Sequence, residues 1–173
     1  MYNFLLPKQF VTDIFQITPE FLREKGLKGV VTDLDNTLIE WDRADATEEL
    51  AAWFLMMKDA GIRIIIASNN NEKRVKHFAK PLGIPYVHRA KKPLGRGFYA
   101  AMIQLGLRPQ ETAMVGDQLL TDVMGGNRMK MYTILVRPVA QSDGLVTKFN
   151  RFVERRIFSD LKRKGKTTWE DHL

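Results

Sequence analysis

The sequence predicts an α/β protein, a three-layer αβα sandwich built on a parallel sheet, and three observations predict it. From Lys28 to Val136 short apolar runs alternate with longer segments of helical spacing, the order of strand, crossover helix and strand. The runs are nearly unbroken rather than alternating in polarity, as strands buried on both faces are. Asp, Ser and Lys stand directly after several of these runs, where open parallel sheets bind ligands.

Five strands are expected, at residues 29–32, 63–67, 85–87, 112–115 and 132–136. Between the first two, residues 47–60 read as a helix. Asp45 or Thr47 supplies its cap, Leu50, Trp53, Phe54 and Met57 share one face, and Gly61 ends it. Residues 71–80 and 94–105 read as two further helices, with Gly95 and Gly97 blurring the start of the second. A short helix after Thr121 completes a Rossmann-like layout with about five strands.

The chain divides into three parts. Residues 28–147 form the core. Residues 1–27 carry Phe4, Leu5, Leu6, Phe10, Val11, Ile14, Phe15, Phe21 and Leu22, too apolar for a free tail, and are expected to dock on the core or on a membrane. Residues 148–173 read as a basic amphipathic helix and tail: Phe149, Phe152, Val153, Ile157 and Leu161 follow helical spacing, with Arg151, Arg155, Arg156, Lys162 and Arg163 around them. Such a helix lies on anionic membrane, packs its apolar stripe on the core, or binds RNA, and the sequence leaves the three open.

Composition narrows the classes. At 173 residues, 45% hydrophobic and 27% charged, the chain is sized for one core and unlike a disordered polymer. Cysteine is absent, which excludes disulfides, thiolate zinc sites and a cysteine nucleophile. No run approaches the roughly 18 apolar residues of a membrane span, and the N-terminus lacks a signal-peptide pattern. A cytoplasmic protein is expected, with peripheral contact at the inner face of the membrane. The charge of +7 points to anionic partners.

Four segments carry the chemistry: Thr32-Asp33-Leu34-Asp35-Asn36-Thr37-Leu38 after the first strand, Ala67-Ser68-Asn69-Asn70 after the second, Lys91-Lys92-Pro93, and Gly116-Asp117-Gln118-Leu119-Leu120-Thr121-Asp122 after the fourth. Singly each is weak, since Asp-Leu-Asp-Asn-Thr is also good turn chemistry and Ser68 can cap a helix. In this order they resemble the motifs of the haloacid-dehalogenase (HAD) superfamily: DxDx(T/V), a Ser or Thr, a Lys, and GDxxxxD.

The resemblance implies a HAD-like fold and a phosphatase, and the residue types suit phosphoryl transfer, which needs a nucleophile, a proton shuttle and positive charge around the moving oxygens. Asp33 is then the nucleophile and forms an aspartyl-phosphate, and Asp35 is the general acid and base. Asp33, the backbone carbonyl of Asp35 and Asp117 hold Mg2+, with Asp122 within reach of its water shell. Ser68, with Asn69 and Thr37 beside it, binds the phosphoryl oxygens. Lys92 supplies a fixed positive charge. Lys91 competes for that role, and Lys92 is favoured because it directly precedes proline.

Superfamily members often insert a cap domain after the first motif or between the second and third, and neither interval has room for one here. A capless site is expected to be open and to suit macromolecular or lipid substrates. The layout is similar to the YqeG branch of subfamily IIIA, which is related to mitochondrial phosphatidylglycerophosphate phosphatases. This implies a magnesium-dependent phosphomonoesterase, with phosphatidylglycerophosphate as a candidate substrate. The alternatives are nucleic-acid ends or phosphoprotein as substrate, or a catalytically silent RNA- or ribosome-associated protein. The expected partners are a phosphate ester and, peripherally, anionic membrane; nucleic acid ranks lower, and self-association stays open.

Overall fold

Each of the five runs read as strands forms one in the computed structural model, which describes residues 3–140 together with Arg156, Ile157, Ser159 and Arg163. In chain order the main elements are β1 (Gln9–Val11), α1 (Pro19–Glu24), β2 (Gly29–Thr32), α2 (Glu48–Asp59), β3 (Arg63–Ala67), α3 (Glu72–Leu82), β4 (Tyr86–Val87), α4 (Gly95–Leu105), β5 (Thr112–Gly116), α5 (Met124–Arg128) and β6 (Tyr132–Val136). All pairings are parallel, in the order β1-β6-β5-β2-β3-β4. The chain leaves β2 towards β3 on one side and returns to pair β5 on the other. The crevice where strand order reverses therefore opens between β2 and β5, at their carboxyl ends.

Residues of β2 alternate between two cores. Val30 packs with Leu50, Trp53, Phe54 and Met57 of α2 and Val75 and Phe78 of α3. Val31 faces the other way, onto Phe98, Ala101, Met102 and Leu105 of α4. Because all four β2 residues are buried, the strand is apolar throughout, and its period of two sends side chains to both layers. Local signals set the helix ends: Thr47 Oγ1 accepts from Leu50 N–H and Asn71 Oδ1 from Arg74 N–H. Gly83 and Gly106 stop α3 and α4 in the left-handed conformation.

Among the described residues the sheet has six strands rather than about five. Gln9–Val11 adds to the edge beside β6, in register with Ile134–Val136. Three residues at an edge give too short a run for alternation to be read, so the strand depends on its partner and not on its own pattern. Leu5, Val11, Ile14, Ile17, Leu22 and Leu27 are buried, and Trp53 Nε1 donates to the Ile17 carbonyl at 2.9 Å. No inserted domain occupies residues 33–47 or 68–94. The basic C-terminal helix expected from residue 148 lies outside the described residues, apart from Arg156, Ile157, Ser159 and Arg163, which are helical. Ile157 packs against Leu119, Val123 and Leu135.

Leu22 is fully buried in the same core as α2. Leu22→Ala is expected to lower the unfolding free energy by about 2–5 kcal/mol, the usual range for a buried leucine. Urea unfolding checks it. An unchanged midpoint would mean that residues 1–27 are an appendage independent of the core.

Candidate active site

The carboxyl ends of β2, β3 and β5 deliver the first, second and fourth motifs, and the turn after β4 delivers the third. Asp33 extends the β2 ladder, its N–H donating to the Val115 carbonyl at 2.9 Å. Asn36 then takes φ 63°, a left-handed conformation that asparagine tolerates, and its N–H bonds the Ile39 carbonyl at 2.7 Å. That turn returns the chain beside Asp35, which bridges to Ile39.

Lys92 binds the motifs together. Its Nζ lies 2.8 Å from Asp33 Oδ1 and 2.7 Å from Asp122 Oδ1, and its side chain is 2% exposed. Lys91 is exposed and makes none of these contacts with Asp33 and Asp122. The Lys92 backbone is held as well: its N–H donates to Asn69 Oδ1 at 2.7 Å, and Asn69 Nδ2 donates to its carbonyl at 3.1 Å. Asn69, expected as a substrate ligand, has both ends of its amide committed to positioning Lys92. Thr37, expected in the same role, donates its hydroxyl to Asp117 Oδ1 at 3.0 Å. Ser68 is buried, and its Oγ accepts from Asn70 N–H at 3.1 Å.

Asp33, Asp117 and Asp122 bring one carboxylate oxygen each to within 4.8 Å of one another, and all three are buried. The three carboxylates offer hard oxygen donors close enough to share one divalent cation beside the Lys92 ammonium. The donor set therefore fits the metal that the fold family implies. Asp35 sits outside the trio. Its Oδ1 accepts from Arg74 Nε at 3.1 Å and Nη2 at 3.0 Å, and its Oδ2 from Asn70 Nδ2 at 3.0 Å.

Electrostatics shift two of the acids, Asp122 and Asp35, and the lysine. Burial lifts Asp122 to about 6; the Lys92 ammonium opposes this and the Asp33 charge adds to it. Burial also raises Asp35, which the Asn70 hydrogen bond opposes, the Asp33 charge reinforces and Arg74 opposes again. Burial disfavours a charged Lys92, but Asp122 and Asp33 outweigh it and hold the ammonium above its usual range.

Arg74 lies outside the four motifs, and Asn70, within the second, has no role assigned to it there. One signal for Arg74 was present: it occupies the first turn of α3, where the helix dipole favours acids. The expected openness is also qualified. Among the described residues no cap covers the crevice, yet Asp33 is only 7% exposed, with Lys92 and Asp122 packed around it.

Gly116 ends β5 against Asp122, and a Cβ there would run into the Asp122 carboxylate. Gly116→Ala is expected to displace Asp122 and with it Lys92. Phosphate-ester turnover should fall by about 100-fold, the order that an ångström's misplacement costs. Steady-state rates beside the wild type check this.

The family model described as haloacid dehalogenase-like hydrolase matches residues 5–130. "Probable phosphatase YqeG" of Bacillus subtilis (strain 168) is 57% identical over 169 residues, 98% of each chain. "Phosphatidylglycerophosphate phosphatase 1, chloroplastic/mitochondrial" of Arabidopsis thaliana is 31% identical over 180 residues, 94% of this chain; the match spans only 50% of the plant protein. The cobalt-bound deoxy-D-mannose-octulosonate 8-phosphate phosphatase of Haemophilus influenzae shares the fold, with a TM-score of 0.53 at 19% identity over 65% of this chain and 69% of that one. With the four motifs assembled at one crevice and these matches along nearly its whole length, the chain belongs to the haloacid dehalogenase-like hydrolases, in the YqeG branch of phosphatases.

Proposed function

We propose that the chain is a magnesium-dependent phosphomonoesterase that transfers phosphate to Asp33, and that its substrate is a phospholipid monoester of the phosphatidylglycerophosphate class. The observation that carries the chemistry is the buried Lys92 ammonium held between Asp33 and Asp122. It fixes the Asp33 carboxylate and leaves positive charge where phosphoryl oxygens arrive.

Asp33, Asp117, Asp122 and the Asp35 carbonyl are the groups that would hold Mg2+. When bound, the ion offsets negative charge between the Asp33 carboxylate and the phosphate. Asp33 Oδ attacks phosphorus as the bond to the ester oxygen breaks, and Asp35, its carboxyl raised by burial, gives that oxygen a proton. The alcohol leaves. Asp35 then takes a proton from water, the water oxygen bonds phosphorus, and the bond to Asp33 breaks to release inorganic phosphate. Ser68 offers its hydroxyl proton to a phosphoryl oxygen, while Thr37 and Asn69 orient Asp117 and Lys92.

The lipid reading draws support from the plant relative's name and from two exposed apolar residues near the motifs in sequence. Trp41, 45% exposed, stands on the loop after the first motif, and Leu94, 58% exposed, lies two residues beyond Lys92. Large apolar groups there suit acyl chains or an interface. Among the described residues no helix is long and apolar enough to cross a membrane.

The test is a panel of phosphatidylglycerophosphate in mixed micelles, a phosphopeptide, a 5′-phosphorylated oligonucleotide and small esters. Magnesium-dependent release highest on the lipid, and lost in Asp33→Asn, is expected. Faster turnover of the peptide or oligonucleotide would reject the lipid substrate, and no turnover of any ester would reject the chemistry.

A second prediction follows from Asp122. Its ordinary value is 3.8 and its folded value about 6, so in metal-free protein the proton's contribution to stability is full below 3.8 and is lost as pH rises through 6. A divalent cation needs that proton gone. The rise in melting temperature on adding Mg2+ should therefore be small near pH 5 and larger near pH 7, read by differential scanning fluorimetry. An equal rise at both values would exclude Asp122 from the ion's ligands.

A further inference from the structure

We propose that Arg74, outside all four motifs, is a positioning residue for phosphoryl transfer: it aims the Asp35 carboxylate at the crevice and locks it to the loop of residues 40–44. The inference rests on the reading of Asp35 as the acid and base. Arg74 Nε and Nη2 both donate to Asp35 Oδ1, at 3.1 and 3.0 Å, and Asn70 Nδ2 holds Oδ2 at 3.0 Å. Both oxygens of the proton carrier are thus fixed from one side, by the segment that follows β3.

The guanidinium is itself anchored. Nη1 donates to the Ala44 carbonyl at 3.3 Å and Nη2 to the Glu40 carbonyl at 3.4 Å. With these bonds made, the fork is occupied by protein groups and is poorly placed to bind substrate phosphate as well. A purely structural arginine would fit the position badly, because a cation in the first turn of a helix opposes the dipole. The Asp35 partnership supplies the reason for it. The ion pair is also sheltered, its side chains 15% and 20% exposed, so it is screened less than a surface pair.

The two half-reactions use Asp35 differently, and that separates positioning from binding or folding. Breaking an alkyl ester requires a proton for the departing alkoxide. A p-nitrophenolate departs without one. Hydrolysis of the aspartyl-phosphate requires Asp35 as base whichever ester formed it. A misaimed Asp35 should therefore spare only the first step, and only for the aryl ester.

Arg74→Met is the test, with kcat/KM measured on a simple alkyl phosphate and on p-nitrophenyl phosphate, and with a stopped-flow trace on the latter. We expect kcat/KM for the alkyl ester to fall by about 100-fold or more, the span of a lost general acid. The aryl value should stay within about tenfold, with a burst of about one nitrophenolate per enzyme before a slow steady state. Arg74→Lys keeps the charge without the fork and should show the same pattern more weakly; it carries the test if the methionine variant fails to fold. An equal fall on both esters with a raised KM would overturn the proposal and make Arg74 a phosphate ligand. Unchanged rates on both would also overturn it. If wild-type protein turned over neither ester, the reading of the site itself would fail first.

Discussion

One ammonium group between two carboxylates governs the crevice. Lys92 comes from the turn after β4, Asp33 from the end of β2 and Asp122 from the π-helical turn Leu119–Val123 beyond β5, yet all three meet within 2.8 Å contacts in a buried space. Isolated charges at such a place are prohibitively costly, so the three loops must close together or not at all. Other groups serve that closure. Asn69 clamps the Lys92 backbone, Thr37 holds Asp117, Gln118 N–H donates to Asp122 Oδ2 at 3.2 Å, and Gly116 leaves room for the Asp122 carboxylate. Burial and the Asp33 charge lift Asp122 to about 6 against the Lys92 ammonium, and a divalent cation among the three carboxylates would favour its charged form instead.

Asp33 and Asp35 are two residues apart and have opposite surroundings. Asp33 pairs with Lys92, whereas Asp35 is held by Arg74 and Asn70 and is raised by burial. Paired acids whose environments diverge are the arrangement that lets one act as nucleophile while its neighbour moves a proton. Directly after Asp35 the left-handed Asn36 turns the chain, its N–H bonding the Ile39 carbonyl.

Much of this was legible in the sequence because it is local. Unbroken apolar runs announce doubly covered strands, and the motif residues must stand at strand ends to reach one crevice. What was not legible depends on partners distant in the chain. The edge strand Gln9–Val11 exists through pairing with β6. Lys91 and Lys92 look alike until the fold exposes one and buries the other. Asn69 and Thr37 have the right chemistry for phosphate, but their hydrogen bonds run to Lys92 and Asp117. Arg74 reads as one more charged residue of an amphipathic helix, and its meaning appears only with Asp35 across the crevice.

The absence of an inserted cap leaves one physical problem for the site to solve, which is the exclusion of water during transfer. Asp33 is only 7% exposed, with the Lys92 ammonium against its carboxylate and Asp122 beyond it. Trp41 and Leu94, near the first and third motifs in the chain, are exposed apolar groups that would make an apolar rim. A small hydrophilic ester would gain little from that rim. A phosphate carried on a lipid would bring its own cover, its acyl portion meeting the rim while the phosphoryl group descends to Asp33. On this view the substrate completes the enclosure that other members of the superfamily obtain from a second domain.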